Sequence, residues 1–307
     1  MSTKHTITIG TRGSQLALKQ TGFVVDAISK LHPSIKTSVK VITTKGDSNQ
    51  SPIPLDTIGK AWFTEEIEDA LQSGLIDLAV HSLKDLPPEV PTGLTVAAVL
   101  ERDDPRDVVV SKSLLKLDEL PKGATVGTDS IRRKAQILAY RPDVVVASVR
   151  GNINTRLRKL QEEDYDALVL AAAGLRRLGL QDSITEYLDP TLFVPAVGQG
   201  VLAVEARQDH PFLWDIIKDI QDQDTLAIVE AEQTFSRAIG GGCKLPIGCY
   251  AYFKGQEIVI HAMVGSMDAL TTVHELAKGP RQQAPLLATQ LAENLLEQDI
   301  LTTLETK

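Results

Sequence analysis

The chain has 307 residues, 43% of them hydrophobic and 23% charged, enough apolar material for two or three globular domains with separate cores. A formal net charge of -8 and only 4% aromatic residues exclude a general nucleic-acid binder and an extended base-stacking surface. The two cysteines, Cys243 and Cys249, and six scattered histidines form no metal-ligand spacing. No apolar run marks a signal peptide after Met1, and the stretch Ala167 to Leu175 is too short to cross a bilayer, so the expectation is a cytoplasmic protein without metal or membrane partner.

In chain order, Ile7-Thr-Ile-Gly reads as a strand running into the turn Thr11-Arg12-Gly13. Ser14 then stands at the N-cap position of a helix whose apolar positions run from Leu16 to Leu31 and which His32-Pro33 ends. A strand, a glycine turn and a capped helix converge free N–H groups on one point, an anion site that Arg12 and Ser14 would flank. Val39 to Thr43 is the next strand. Ser48 to Ala61 is a long aperiodic loop with Lys60 near its end as a candidate ligand contact, and Thr64-Glu65-Glu66 opens a helix to about Ser73. The strand Ile76 to His81 delivers Ser82-Leu-Lys84-Asp85-Leu-Pro-Pro at its C-terminal end, where ligands sit in open α/β sheets. Asp85 there is either a proton-handling carboxylate or a turn-capping aspartate.

Leu94 to Leu100 is a strand, and the charged link Glu101 to Asp107 is read as a crossover into a second domain. Thr125-Val-Gly127-Thr128-Asp129-Ser130 repeats the first turn: strand, Gly-Thr, then serine at an N-cap. Two lobes with such turns suggest a ligand cleft between them. Between residues 130 and 180 there are ten Lys/Arg against five Asp/Glu, several of the arginines near strand ends or helix starts, so the ligand is expected to be polyanionic. Phe193 to Gly200 is a hinge-like loop, Val201 to Ala206 a strand, and Asp224 to Ala238 a helix. After it comes Gly240-Gly-Gly-Cys243-Lys-Leu-Pro-Ile-Gly248. This stretch is either a plain linker or a presented thiol whose neighbouring Lys244 favours thiolate. Cys249 reads as a small core residue at the start of a strand. Strands near Tyr250–Phe253 and Ile258–Val264 and a helix from about Pro285 to Leu296 complete a small α+β domain.

Arg12 with Ser14, Ala79-Val-His-Ser-Leu-Lys-Asp-Leu-Pro87, Asp104-Pro-Arg-Asp107, Ser130-Ile-Arg-Arg133, Arg150-Gly-Asn, Pro195-Ala-Val-Gly-Gln-Gly200 and Gly241-Gly-Cys-Lys-Leu-Pro-Ile-Gly248 occur in one order. Together they resemble the porphobilinogen deaminase (hydroxymethylbilane synthase) family from about residue 7 to about residue 300. The resemblance implies an α/β fold of three domains: two periplasmic-binding-protein-like lobes flanking a cleft, and a small C-terminal α+β domain. The implied boundaries are 1–100 with 201–218, 105–194, and 222–307. It further implies a monomeric transferase that joins four porphobilinogen molecules head to tail, with release of ammonia, into a linear tetrapyrrole.

The cofactor implied is one dipyrromethane, held by a thioether to Cys243. The matching catalytic position is Asp85. Cofactor contacts carry over to Ser14, Ser82, Lys84, Thr128, Ser130, Arg132, Arg133 and Arg150, and substrate contacts to Arg12, Lys60, Arg150, Arg156 and Arg177. Asp129 stands where many relatives have serine and would oppose a carboxylate unless it points away or pairs with Arg132. Ala61-Trp62 replaces a common Gly-Leu. A non-catalytic bilobal polyanion-binding protein is the alternative, but it has no need of a thiol on a triple-glycine loop.

Overall fold

In the computed structural model, which describes residues 6–48, 64–87, 90–240, 245–266, 268–269 and 271–298, strand β1 (Thr6–Arg12) buries Ile7 and Ile9 and leads into helix α1 (Gln15–Leu31). The helix buries Ala17, Gln20, Thr21, Val24 and Ile28, the stripe expected of a 3.6-residue repeat. Ser14 caps it by accepting the Ala17 N–H at 3.2 Å. Strand β2 (Lys36–Ile42) starts three residues earlier than the apolar pattern suggests, because it pairs with β1 along its whole length, Thr6 opposite Lys36 to Arg12 opposite Ile42. A short helix α2 (Lys45–Ser48), helix α3 (Glu65–Gln72), the fully apolar start of strand β3 (Leu78–Ser82) and strand β4 (Leu94–Val99) follow.

The next run holds β5 (Asp107–Ser111), β6 (Thr125–Gly127), α4 (Ile131–Tyr140), β7 (Val145–Ala147), α5 (Ile153–Glu162), β8 (Ala167–Ala171), α6 (Ala172–Arg177) and the two-residue β9 (Glu186–Tyr187). Strand β10 (Leu202–Arg207) and helix α7 (Pro211–Ile220) precede the long helix α8 (Gln223–Ala238). Strands β11 (Ile247–Lys254), β12 (Glu257–Gly265) and β13 (Thr272–Pro280) and helix α9 (Ala284–Glu297) close the described chain.

Contacts divide the chain into two units, Met1–Asp103 with Val201–Leu226, and Asp104–Gly200 with Ala227–Lys307. The first is built on a sheet of order β2-β1-β3-β10-β4, the second on one of order β7-β6-β8-β5-β9. In each, three parallel strands are followed by one antiparallel strand and then by an edge partner antiparallel to that, six residues long in the first sheet and two in the second. The two sheets therefore share one arrangement of strand directions, although the inner antiparallel strand comes last in the chain in the first sheet and first in the second. In the first, α1 and α7 cover one face over Ile9, Leu78, Val80 and Val204, and α3 covers the other over Ile76, Ala79 and Leu94.

The second unit also contains the antiparallel sheet β11-β12-β13. Helices α8 and α9 pack on it through Ala231, Phe235, Ala288 and Leu291, and Cys249 is wholly buried in that core. Helix α8 ends at Gly240, whose φ of +70° is the left-handed conformation that terminates helices cheaply only at glycine.

Candidate active site

In the first unit, the strand-turn-helix entry and the end of β3 converge. Arg12 closes β1, Ser14 caps α1, and Gln20 of α1 donates a hydrogen bond to the Ser82 hydroxyl at 2.8 Å. Ser82 ends β3, and one tight turn of 3-10 helix, Leu83–Asp85, follows. Leu83 is the buried peg of that turn, while Lys84 is half-buried and Asp85 exposed. Arg12, Ser14, Gln20, His81, Ser82 and Asp85 line a cavity of about 60 Å³. The structure thus brings four of the sequence-derived positions, Arg12, Ser14, Ser82 and Asp85, to one place from three elements, with Lys84 on the same turn.

In the second unit, β6 ends at Gly127, Thr128 is buried, and Ser130 caps α4 by accepting the Arg133 N–H at 3.4 Å. Thr128, Asp129, Ser130, Lys134 and Ser148 line a second cavity of about 190 Å³. Asp129 pairs not with Arg132 but with Arg150, whose Nε lies 3.4 Å from its carboxylate, and accepts a short hydrogen bond from the Ser148 hydroxyl. Arg156 donates to the Gly151 carbonyl at 2.7 Å and Arg177 to the Gly200 carbonyl at 2.6 Å. Arg150 lies in the loop after β7, Arg156 in the first turn of α5 and Arg177 at the C-terminal end of α6.

Arg132 and Arg133 are different. Both point into the protein and are buried with Asp107. Arg132 reaches one Asp107 oxygen at 2.8 Å and the Val194 carbonyl at 2.6 Å. Arg133 reaches the other oxygen with both Nε, at 3.1 Å, and a terminal nitrogen, at 2.8 Å. Gln199 completes the set, donating to Asp107 at 2.8 Å and to the Pro105 carbonyl at 2.7 Å. Burial alone would push the Asp107 carboxyl up. The two guanidiniums, with the hydrogen bonds from Arg133 and Gln199, overcome that and hold it far below the usual carboxylate range.

A folded-state value below the unfolded one means that the unfolded chain binds the proton more tightly. The contribution of Asp107 to stability is therefore complete above the ordinary aspartate range and is lost as the pH falls below it. Asp107→Asn is expected to cost about 3–5 kcal/mol in chemical denaturation at neutral pH, since it strands two buried cations. The variant should also show a shallower loss of stability on acidification.

Two guanidiniums against one carboxylate leave this network with one positive charge in excess. A buried surplus of that kind suits an anionic group close by.

The segment before β10 is pinned to β11. The Cys249 N–H donates to the Pro195 carbonyl at 3.0 Å, and a Cβ on Gly248 would lie 2.7 Å from the Val194 oxygen, so glycine is required there. Glu232 of α8, wholly buried, accepts the Gly198 N–H at 2.7 Å and the Ala251 N–H at 2.8 Å. Cys243 itself, with Gly241, Gly242 and Lys244, lies outside the described residues, as do Lys60 and Ala61-Trp62.

Asp107, Gln199 and Glu232 carry no role in the sequence reading. Asp107 follows Asp103, Asp104 and Arg106, so nothing local marks it as the acid that turns inward ahead of Val108-Val-Val.

Against known proteins, the model described as "Porphobilinogen deaminase, dipyromethane cofactor binding domain" matches residues 7–214, and "Porphobilinogen deaminase, C-terminal domain" matches residues 226–297. The chain is 47% identical over 298 residues to a porphobilinogen deaminase of Oceanobacillus iheyensis, covering 95% of this chain and 96% of the relative. It is 46% identical over 296 residues to one of Roseiflexus sp., covering 96% and 97%. The porphobilinogen deaminase of Syntrophobacter fumaroxidans is 44% identical over 294 residues, at 95% and 94% coverage. Among solved structures, a TRAP periplasmic solute binding protein from Desulfovibrio salexigens aligns over 71% of this chain and 72% of that one, with a TM-score of 0.44 and 11% identity.

Proposed function

This chain belongs to the porphobilinogen deaminase family, a transferase that polymerises porphobilinogen in tetrapyrrole synthesis and carries a dipyrromethane-binding domain, and on that premise we propose which of its residues do the work. Cys243 carries the dipyrromethane as a thioether, Asp85 is the catalytic carboxylate, and the cations around the two βα turns hold the carboxylates of cofactor and substrate.

The observation that carries the reading is the charge and placement of the two turns. One gathers Arg12, Ser14, Ser82 and Asp85 about a cavity. The other starts a helix at Thr128 and Ser130 beside a network with an unbalanced buried cation. Each pyrrole unit brings an acetate and a propionate, so this donor set fits the ligand. Arg150, Ser14, Ser82, Lys84, Thr128 and Ser130 would hold the dipyrromethane, which supplies the electron-rich ring carbon to which the first unit is joined, and Arg132 and Arg133 would act on it through the surplus charge of their Asp107 network rather than by direct contact. Arg12, Lys60, Arg150, Arg156 and Arg177 would hold the incoming unit. Asp129 is the exception: paired with Arg150 and Ser148, it occupies donors that a ligand carboxylate would otherwise use.

The chemistry asked of Asp85 is electrostatic. Loss of ammonia from the aminomethyl group leaves a cationic azafulvene, and a carboxylate near the pyrrole nitrogen stabilises that charge and moves protons. The domain division 1–100 with 201–218, 105–194 and 222–307 is retained as the functional one, with the enzyme a cytoplasmic monomer. Among the described residues no helix is long and apolar enough to cross a membrane.

Arg12→Leu tests the substrate side. It is expected to raise KM for porphobilinogen roughly 10- to 100-fold, the loss of one charge-assisted hydrogen bond to a carboxylate. Unchanged steady-state kinetics would remove Arg12 from the site.

A further inference from the structure

Three ionisable side chains are buried together on the α3 side of the first sheet: Glu205, Glu68 and His81, at 0%, 5% and 6% exposure. The register places Ala203 opposite His81 and Glu205 opposite Ala79. His81 and Glu205 thus share the face of Ala79, which packs under Ile67 and Leu71 of α3, while Val80 and Val204 face the other core. His81 Nε2 lies 3.1 Å from a Glu205 oxygen. Neither oxygen of Glu205 nor Oε1 of Glu68 has a hydrogen-bond partner among the described residues, a costly arrangement unless the cluster holds protons. Burial pushes the Glu68 carboxyl up; the nearby Thr64 hydroxyl pulls it down, and Glu205 and Asp69 raise it again against His81.

His81 is also one of the residues lining the Asp85 cavity. Its ring meets Glu205 from β10, with Glu68 of α3 in the same buried cluster, while Arg12 and Asp85 line the cavity that His81 shares and Asp69 of α3 lies on the exposed side of Glu68.

The condensation has a use for such a store. The substrate's aminomethyl group is an ammonium at neutral pH. Its C–N bond breaks with the electron pair staying on nitrogen, so ammonia leaves and the positive charge passes to the ring and methylene. The ring carbon being joined gives an electron pair to that methylene, forming the C–C bond, then loses its proton as the C–H electrons restore the aromatic ring. One proton is released at carbon and one is taken up by ammonia. None is gained overall, but the two events occur on different atoms, and an exposed Asp85 exchanges its proton with water.

We propose that His81, Glu205 and Glu68 form a buried store that takes the proton released at carbon through His81 and returns it to the departing ammonia. This rests on the assignment of the Asp85 cavity to porphobilinogen.

The test uses the full chain with its cofactor loaded, checked by intact mass. His81→Asn and Glu205→Gln are expected to lower kcat roughly 100-fold and to displace its pH profile, with KM for porphobilinogen changed less than about threefold. In carbon-13-labelled histidine NMR, the His81 ring resonances should move in Glu205→Gln, because the carboxylate 3.1 Å from Nε2 is replaced by an amide. Glu68→Gln keeps the shape of the side chain and so guards against variants that fail to fold. Glu68 binds its proton more tightly folded than unfolded, so the parent loses stability as the pH rises from the ordinary glutamate range through the raised folded value. Glu68→Gln should therefore melt higher than the parent at pH 8, by about 2–4 °C, and should alter the alkaline limb of kcat.

Superimposable pH profiles for Glu68→Gln and parent, or unmoved His81 ring resonances in Glu205→Gln, would overturn the proposal. If Asp85→Asn is inactive while these variants are silent, the store alone is wrong. If Asp85→Asn is itself active, the cavity assignment has failed.

Discussion

Cys243→Ser is expected to purify at its bare sequence mass, lighter than the parent by two pyrrole units beyond the sulfur-to-oxygen change, and to turn over porphobilinogen no faster than background. The physical reason lies in the two partners. A thiolate, favoured by the adjacent Lys244, is a good nucleophile towards a pyrrole-methylene cation, and the thioether it forms persists where an ester or disulfide would exchange. A serine hydroxyl at neutral pH is neither ionised nor soft enough to replace it. Intact-mass spectrometry reads the result directly. A parent chain at bare mass that still consumes porphobilinogen would sink the covalent tether, and a serine variant that keeps the increment would place it on another residue.

Asp85→Asn carries the second large effect. The side chain keeps its size on a turn whose buried anchor is Leu83, so the fold and melting temperature should be preserved. What is lost is a negative charge at the mouth of a cavity that also holds Arg12 and two serine hydroxyls. Asparagine can still accept a hydrogen bond from a pyrrole N–H, but it neither balances a cation nor carries a proton. Turnover should fall roughly 10²–10⁴-fold with little change in KM, the range seen when a positioned acid–base group is removed. Single-turnover measurement of ammonia release would distinguish lost chemistry from slow product release.

The parts of this molecule that were legible in the sequence are those whose causes are local. Ser14 and Ser130 are helix caps because a serine before an apolar helical stripe has a partner three residues on. The β3 strand and its Ser82–Asp85 turn announce themselves by a buried apolar run followed by prolines. Helix α7 carries a readable signal too, with Leu213, Ile216, Ile217 and Ile220 at helical spacing behind a proline at its first turn.

Strand β13 does not. It is an edge strand with an exposed and half-buried alternation, so its pattern lacks the apolar face that marks a strand. The buried polar networks were illegible for a different reason. Asp107 meets Arg133 across 26 positions and Gln199 across 92, and nothing local distinguishes an arginine that faces a ligand from one that faces an aspartate. Arg132 and Arg133 illustrate the limit: their place at the start of α4 was readable, their direction was not.

The interleaved order of the first sheet has a consequence for synthesis. Strand β10 pairs with both β3 and β4, yet 102 residues lie between Val99 and Leu202. At roughly 5–20 residues per second, the ribosome delivers that strand on the order of 5–20 s after β4 has emerged. Through that interval the nascent sheet carries two open edges, on β3 and β4, where β10 will insert. The second sheet waits less: its antiparallel strand β5 is made first, and 55 residues lie between it and its partner β8. The later-made sheet can thus close first, and a ribosome stalled before Leu202 would leave β3 and β4 as paired-ready edges for trigger-type chaperones or for another nascent chain.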